Sequence, residues 1–385
     1  MKLLYVTSQS GRRINGFMRS AIIAARQLNI DFTIVSNMDH ADKELYAEDC
    51  KTYGIKAEHI DCDRNPLSRK NYVLAKRQLL DLMKCEKYDV VHCNTPIGGI
   101  LGRICAKEAK ITYVIYQAHG FHFWPGAPMK NWICYYPIER YMAHYTDLLI
   151  TINNADYNQA RKFKLKENGK VVKVPGVGVD LSKFDAGIRA SKESQSIRST
   201  LRKTWGINQN DVIFVSVGEL NDNKNQEVAI RALAKTKKPN YYYVVCGEGN
   251  KKDYLNSLSE NLGVEKQVKL LGFQSNISDV LLACDCFLFT SFREGLPGAL
   301  MEAMASGLPC IASSIRGCTD LMDGSKYLFN PKDPVELASM MEKIIDSEEC
   351  QYEVERNIKN VINFDLNHAI SSLKEVYESI GEKDE

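Results

Sequence analysis

Residues 286–313, CFLFTSFREGLPGALMEAMASGLPCIAS, read as a strand, a turn, a helix and the beginning of a second strand. CFLFTS and PCIASS are short apolar runs of the kind that fill buried strands, and ALMEAMASG between them has helix-forming composition up to Gly307. Gly295 and Pro297 supply the turn from strand to helix. One such βαβ unit implies a parallel sheet covered by helices. The turn also has a chemical reading. A helix start presents unpaired backbone N–H groups and a positive dipole end, which suit an anion such as pyrophosphate, and glycine lets the backbone come close to it. Glu294 sits at the mouth of the turn, where it can accept hydrogen bonds from sugar hydroxyls. Glu302, about two turns into the helix, can reach ribose hydroxyls. Two plainer readings stand beside these: Glu294 complements the helix dipole, and Glu302 is a solvated helix residue.

The same rhythm runs outward in both directions. KLLYVTS, DFTIVSN, DVVHCN, TYVIYQAHG and DLLITIN read as strands, with amphipathic stretches such as MRSAIIAARQLN and NYVLAKRQLLDLMKC between them. A second series holds DVIFVSVGE, YYYVVCGEG, VKLLGF, CFLFTS and PCIASS. The glycine-rich stretch VPGVGVDLSKF, residues 174–184, has neither period and reads as the join. Helical patterns run from about Pro334 to Ile380. The expected architecture is α/β, two doubly wound domains in tandem. Residues 1–174 form the first, 175–355 the second, and a final helical segment, 356–385, crosses back to the first. Ligands of open parallel sheets bind beyond the carboxyl ends of the strands, so the cleft between two such sheets is the expected site.

Composition narrows the class. A chain of 385 residues with 44% hydrophobic and 25% charged residues is an ordinary globular protein of two domains. Its net charge of +2 hides an asymmetry: 26 Lys and Arg against 17 Asp and Glu through Pro175 give +9, and the remaining 24 against 31 give −7. A basic first half suits an anionic partner. The 12 cysteines have no CxxC spacing, and Cys284 and Cys286 alternate onto one strand face as small core residues. No apolar run reaches the ~18 residues of a membrane span, and MKLLYV runs straight into polar TSQSGRR, unlike an export signal. Reduced thiols and a cytoplasmic location are expected. GxxxxGK[ST] is absent, as is a GxGxxG after the first strand, which argues against a P-loop nucleotidase and a dinucleotide dehydrogenase. No HExxH or cysteine cluster offers a metal site, and no cofactor or nucleic acid is expected.

EGLPGALMEAMASGLPCIAS resembles the EX7E motif of retaining glycosyltransferases of family four, which have the GT-B fold of two Rossmann-like domains. The similarity covers nearly the whole chain. HCNTP, QAHGFHFWPGAP, YYPIER, TDLLITIN, VPGVGVD, GELNDNKN and IRGCTDLM resemble, in order, bacterial enzymes that assemble capsule and exopolysaccharide repeats on a lipid carrier. The resemblance implies that Glu294 touches the donor sugar, Glu302 holds the nucleotide ribose, Lys224 contacts the donor diphosphate, and His119 contacts the donor sugar. Gly295, Leu296, Pro297, Gly298 and Ala299 would form the diphosphate turn, with Gly272 and Phe273 also on the donor side. One position departs from the pattern. Many relatives carry an arginine where this chain has Glu219, and a carboxylate aimed at a diphosphate would be repelled. Glu219 must therefore point away, pair with a cation, or mark a different donor geometry. Arg293 or Arg316 could supply the missing charge, and Arg316 is the favoured one.

The implied reaction is transfer from a UDP-sugar with retention, the leaving diphosphate being stabilised by Lys224 and the helix start. UDP-N-acetylhexosamine is the expected donor, with UDP-hexose close behind. The implied acceptor is a lipid-linked saccharide on the basic first domain. Arg64, Arg69 and Lys70 suit the phosphates of a polyprenyl carrier, and His122, Trp124 and Lys130 lie in an aromatic and basic stretch suited to a bilayer surface. A peripheral enzyme at the inner face of the cytoplasmic membrane is expected. An epimerase or hydrolase of the same fold and a non-catalytic binding protein are the alternatives.

Overall fold

The computed structural model describes residues 1–14, 16–63 and 69–381. It divides into two compact units, Met1–Gly178 with Leu366–Glu385, and Val179–Asp365. The N-terminal unit runs β1 (Lys2–Gln9), α1 (Gly16–Gln27), β2 (Asp31–Asn37), α2 (Lys43–Tyr53), β3 (Lys56–His59), α3 (Arg69–Glu86), β4 (Val90–Asn94), α4 (Pro96–Ala109), β5 (Tyr113–Ala118), α5 (Met129–Met142), β6 (Leu148–Thr151), α6 (Asn154–Ala160) and β7 (Lys170–Lys173). In the C-terminal unit α7 (Lys192–Trp205) leads to β8 (Val212–Val217), α8 (Gln226–Thr236), β9 (Tyr241–Cys246), α9 (Lys252–Asn261), β10 (Val268–Gly272), α10 (Ile277–Ala283) and β11 (Cys286–Phe289). There follow α11 (Gly298–Ala305), β12 (Cys310–Ser313), α12 (Cys318–Leu321), β13 (Leu328–Phe329), α13 (Pro334–Lys343) and α14 (Ser347–Val361). The last helix, α15 (Leu366–Gly381), returns to pack on α1.

Both sheets are parallel, in the orders β3-β2-β1-β4-β5-β6-β7 and β10-β9-β8-β11-β12-β13. Most strands legible from their apolar runs are central and buried along almost their whole length, as β1, β4 and β11 show, and the edge strand β10 is legible too. Three strands escape that reading: β3 (KAEH), β7 (KVVK) and the two-residue β13. All three lie at sheet edges. Lysines and short length keep an edge from pairing with another chain, and they also erase the apolar signal. The crossing back begins at Leu366, later than the expected 356, because α14 packs on α11 in the C-terminal unit.

Two polar devices anchor the frame. In the C-terminal unit Arg189, Arg198 and Arg202 donate to the carbonyls of Leu281, Leu282, Ala283 and Cys284, the last turn and cap of α10. The negative helix end is thereby neutralised, while Asp285 holds Arg202 at 2.5 Å and accepts from Ile213 N–H at 2.8 Å. In the N-terminal unit buried Arg103 pairs with Glu139 of α5 at 2.9 Å, and Tyr116 donates to the same carboxylate at 2.7 Å. Cys284 and Cys286 are both buried, and burial pushes their thiols well up.

Candidate functional site

Strand order reverses between β1 and β4 in one sheet and between β8 and β11 in the other, and the carboxyl ends at such switch points are where this fold binds ligands. In the C-terminal unit the loops after β8 and β11 meet there. Phe292 N–H donates to Asn223 O at 2.8 Å, Asn223 Nδ2 to Arg293 O at 3.0 Å, and Thr290 Oγ1 to Lys224 O at 2.7 Å. This stitching brings Lys224 Nζ to 2.8 Å from Glu294 Oε1, both side chains being largely shielded from solvent. Sequence reading assigned both residues to the site but did not foresee that they pair across 70 positions.

Helix α11 opens at Gly298 with Pro297 before it, and no side chain caps its first N–H groups. A Cβ at Gly298 would meet nothing within 4 Å, so open space faces the helix start. The turn itself is held from behind. Arg316, a buried side chain, donates Nε–H to Glu294 O at 3.0 Å. Gly317 has φ +78°, and a Cβ there would lie 2.4 Å from Gly295 O. Only glycine lets these two loops approach. Arg316 therefore braces the turn through its backbone, and Arg293 is exposed.

Glu302 is the fifth residue of α11, one turn past Gly298 rather than two. Its carboxylate makes no hydrogen bond among the described residues. Burial raises its pKa, and Lys183 acts against that rise. An unpartnered acid of this kind has its acceptor capacity free for hydroxyl groups. Glu219 is exposed and makes no ion pair among the described residues, and its carbonyl accepts from Asn221 N–H and Gln226 Nε2. Gly272 has φ +71°, and Phe273 after it is exposed. Leu296 and Ala299 are half-buried in and just past the turn.

The N-terminal unit offers a different edge. His119 lies just past β5, half-buried, with Nε2 2.9 Å from Asn94 Oδ1 at the end of β4. Phe17 of α1 packs against it, tilted, at 3.8 Å between ring centroids. Burial, aided by neighbouring His92, pushes its pKa down to about 3 and keeps the ring neutral. His92 beneath is fully buried between Tyr377 of α15 (2.9 Å) and Gln117 (3.1 Å), and burial pushes its pKa down to about 3 as well. Asn94 and Phe17 carry no motif of their own; the one sequence signal was HCNTP at a strand end.

His122 packs against Tyr135, tilted, at 4.7 Å between ring centroids, and its carbonyl accepts from Asn131 at 2.8 Å. Trp124 is half-buried and Lys130 is exposed at the start of α5. Arg64 lies outside the described residues, and Arg69 and Lys70 open α3 with side chains outside the description. The outer face of α5 is apolar: Met129, Ile133 and Tyr141 are 72%, 67% and 61% exposed, and Ile138 is exposed beside them. Lys130 and Arg140 are the charges on that face, because the helix's one acid, Glu139, is buried against Arg103. Among the described residues no helix is long and apolar enough to cross a membrane, and no group of three His, Cys, Asp or Glu is placed to hold a metal ion.

The family described as "Glycosyl transferases group 1" matches residues 197–361, and "Glycosyl transferase 4-like" matches residues 2–153. EpsD of Bacillus subtilis is 35% identical over 332 residues, which cover 84% of this chain and 85% of that protein. The Escherichia coli "UDP-Gal:alpha-D-GlcNAc-diphosphoundecaprenol alpha-1,3-galactosyltransferase" is 30% identical over 349 residues, 85% of this chain and 87% of that protein. Among solved structures, Anabaena HepE in complex with UDP-glucose is similar with a TM-score of 0.79 and 21% identity, covering 98% of this chain and all of that one.

Proposed function

Because the chain belongs to the group 1 glycosyltransferases and has their GT-B fold of two Rossmann-like domains, we propose that it moves an N-acetylhexosamine or hexose from a UDP-sugar to a polyprenyl-diphosphate-linked saccharide. The observation that carries this reading is the convergence of Lys224 and Glu294 beside the uncapped start of α11. A cation and open backbone N–H groups at one switch point are what a leaving diphosphate requires as negative charge develops on it. In the bound state Lys224 exchanges its carboxylate partner for phosphate oxygens, and Glu294 turns its acceptor oxygens to sugar hydroxyls. Glu302 takes the ribose, and Gly272 and Phe273 complete the donor side. Glu219, exposed and without an ion pair among the described residues, takes no part in holding phosphate. His119 contacts the donor sugar. The anomeric carbon becomes oxocarbenium-like. The motif around Glu294 and Glu302 supports retention, with the leaving phosphate taking the acceptor proton and no metal required.

The relative from Escherichia coli is named for a UDP-linked donor and a diphosphoundecaprenol-linked acceptor, which supports the same pairing here. His122, Trp124, Lys130 and the basic residues Arg64, Arg69 and Lys70 form the acceptor side. The apolar and cationic outer face of α5 supports work at the cytoplasmic face of a membrane, in capsule, exopolysaccharide or O-antigen assembly. The test is a panel of UDP-sugars assayed for UDP release with and without lipid-linked acceptors. Acceptor-dependent release with one donor is expected. Equal release without acceptor favours a hydrolase, conversion of the UDP-sugar to its epimer favours an epimerase, and no release under any pairing overturns the reading. Vesicles with anionic lipid should float with the protein at low salt and leave Ile133→Glu behind.

A further inference from the structure

The hydrogen bond between Asn94 and His119 determines more than the position of a ring. Asn94 is fully buried at the end of β4, and its amide nitrogen donates to the His92 carbonyl at 3.3 Å. That orientation leaves Oδ1 facing His119, and an oxygen can only accept. The imidazole must therefore be the donor through Nε2–H. A ring that is neutral and protonated on Nε2 carries its lone pair on Nδ1. Nδ1 makes no hydrogen bond among the described residues, while the Phe17 ring packs against the imidazole at a tilt of 37°.

The backbone holds this geometry firmly. Asn94 faces Gln117 in the β4–β5 register, and Gln117 is itself taken by His92 Nε2 at 3.1 Å. Thr95 next to it has φ +62° and ψ 157°, a conformation that a β-branched residue adopts only when its surroundings impose it. Its hydroxyl donates to Asn94 O at 2.5 Å.

We propose that Asn94 is a positioning residue that locks His119 in the Nε2–H tautomer, so that His119 meets its ligand as a neutral hydrogen-bond acceptor through Nδ1, the partner being a sugar hydroxyl and not a phosphate. The Nε2–H donor stands on the hydrogen-bond geometry, and the free Nδ1 also on the burial that keeps the ring neutral. The sugar contact rests on the transfer reading above.

The experiment uses the full chain with 15N-labelled histidine and long-range 1H–15N spectra, the His119 signals being identified by their loss in His119→Gln. Nδ1 is expected in the unprotonated range and Nε2 in the protonated range, unchanged between pH 8 and pH 6. Addition of a turned-over UDP-sugar should move Nδ1 upfield, and UDP alone should not. Asn94→Ala should yield mixed tautomers and a kcat lower by about ten-fold, the scale of one hydrogen bond, with donor KM little changed. Asn94→Asp, which keeps the shape, should hold Nε2–H but favour the doubly protonated ring, so that activity returns as pH rises. The opposite tautomer in the wild type, or wild-type spectra and kcat in Asn94→Ala, overturns the lock. The expected tautomer with Nδ1 unmoved by UDP-sugar overturns the acceptor role. Absence of turnover with every UDP-sugar, the lock being seen, counts against the transfer reading instead.

Discussion

The two switch points of this molecule are built alike in topology and opposite in electrostatics. The C-terminal unit gathers Lys224, Glu294, Glu302 and the open end of α11, with Arg316 buried behind the turn. The N-terminal unit gathers His119, Asn94, His92 and Gln117, all uncharged, with both imidazoles held neutral by burial. A sheet edge does not dictate what it binds; the residues placed just past the strands do. One edge suits a group that bears charge and gains more during reaction, and the other suits hydroxyls that need orientation.

The largest expected effect tests the charged edge. Lys224→Ala should lower acceptor-dependent UDP release roughly a thousand-fold, the scale for removing a preorganised stabilising group at a transition state, while circular dichroism stays unchanged. Glu294→Ala should also lose activity, and retention of activity by both variants would reject the site. Next comes the neutral edge. His119→Ala should lower release by about ten- to a hundred-fold, as expected for one or two hydrogen bonds. Salt separates the two cases. UDP affinity should fall with ionic strength in the wild type and in His119→Ala, and become flat in Lys224→Ala. Equal salt dependence in the two variants would erase the comparison.

Two stability measurements come last. Gly317→Ala, whose Cβ would press on Gly295 O, should lower thermal stability of the C-terminal unit by about 1–3 kcal/mol. His92 sharpens the other side. Its folded pKa of about 3 lies below the ordinary 6.5, so the unfolded chain takes up the proton first and stability falls with acidification below about 6.5. Between pH 8 and 5.5 that amounts to about 1.4 kcal/mol for this one group. His92→Gln should flatten the decline in a melting series across that range.

The sequence disclosed what is local. Apolar runs such as CFLFTS and DVVHCN become central strands, and the turn from Glu294 to Ala299 opens a helix as its glycines and proline require. It concealed what is set by tertiary approach. KAEH and KVVK are strands because a neighbour pairs with them, not because they are apolar. Lys224 and Glu294 are partners because two loops are stitched together, and Arg316, expected to bring charge to the ligand, also donates to the turn's backbone. Asn94 became visible only when β4 and β5 lay side by side.

The return of α15 to the N-terminal unit bears on how the protein is made. Tyr377 closes over His92, 285 residues earlier in the chain, and α15 covers α1. During synthesis the C-terminal unit, complete by Asp365, has all its elements before the first-made unit does. The half that emerges first is thus the last to be finished, and a ribosome that stops near Leu366 releases a chain damaged at its beginning.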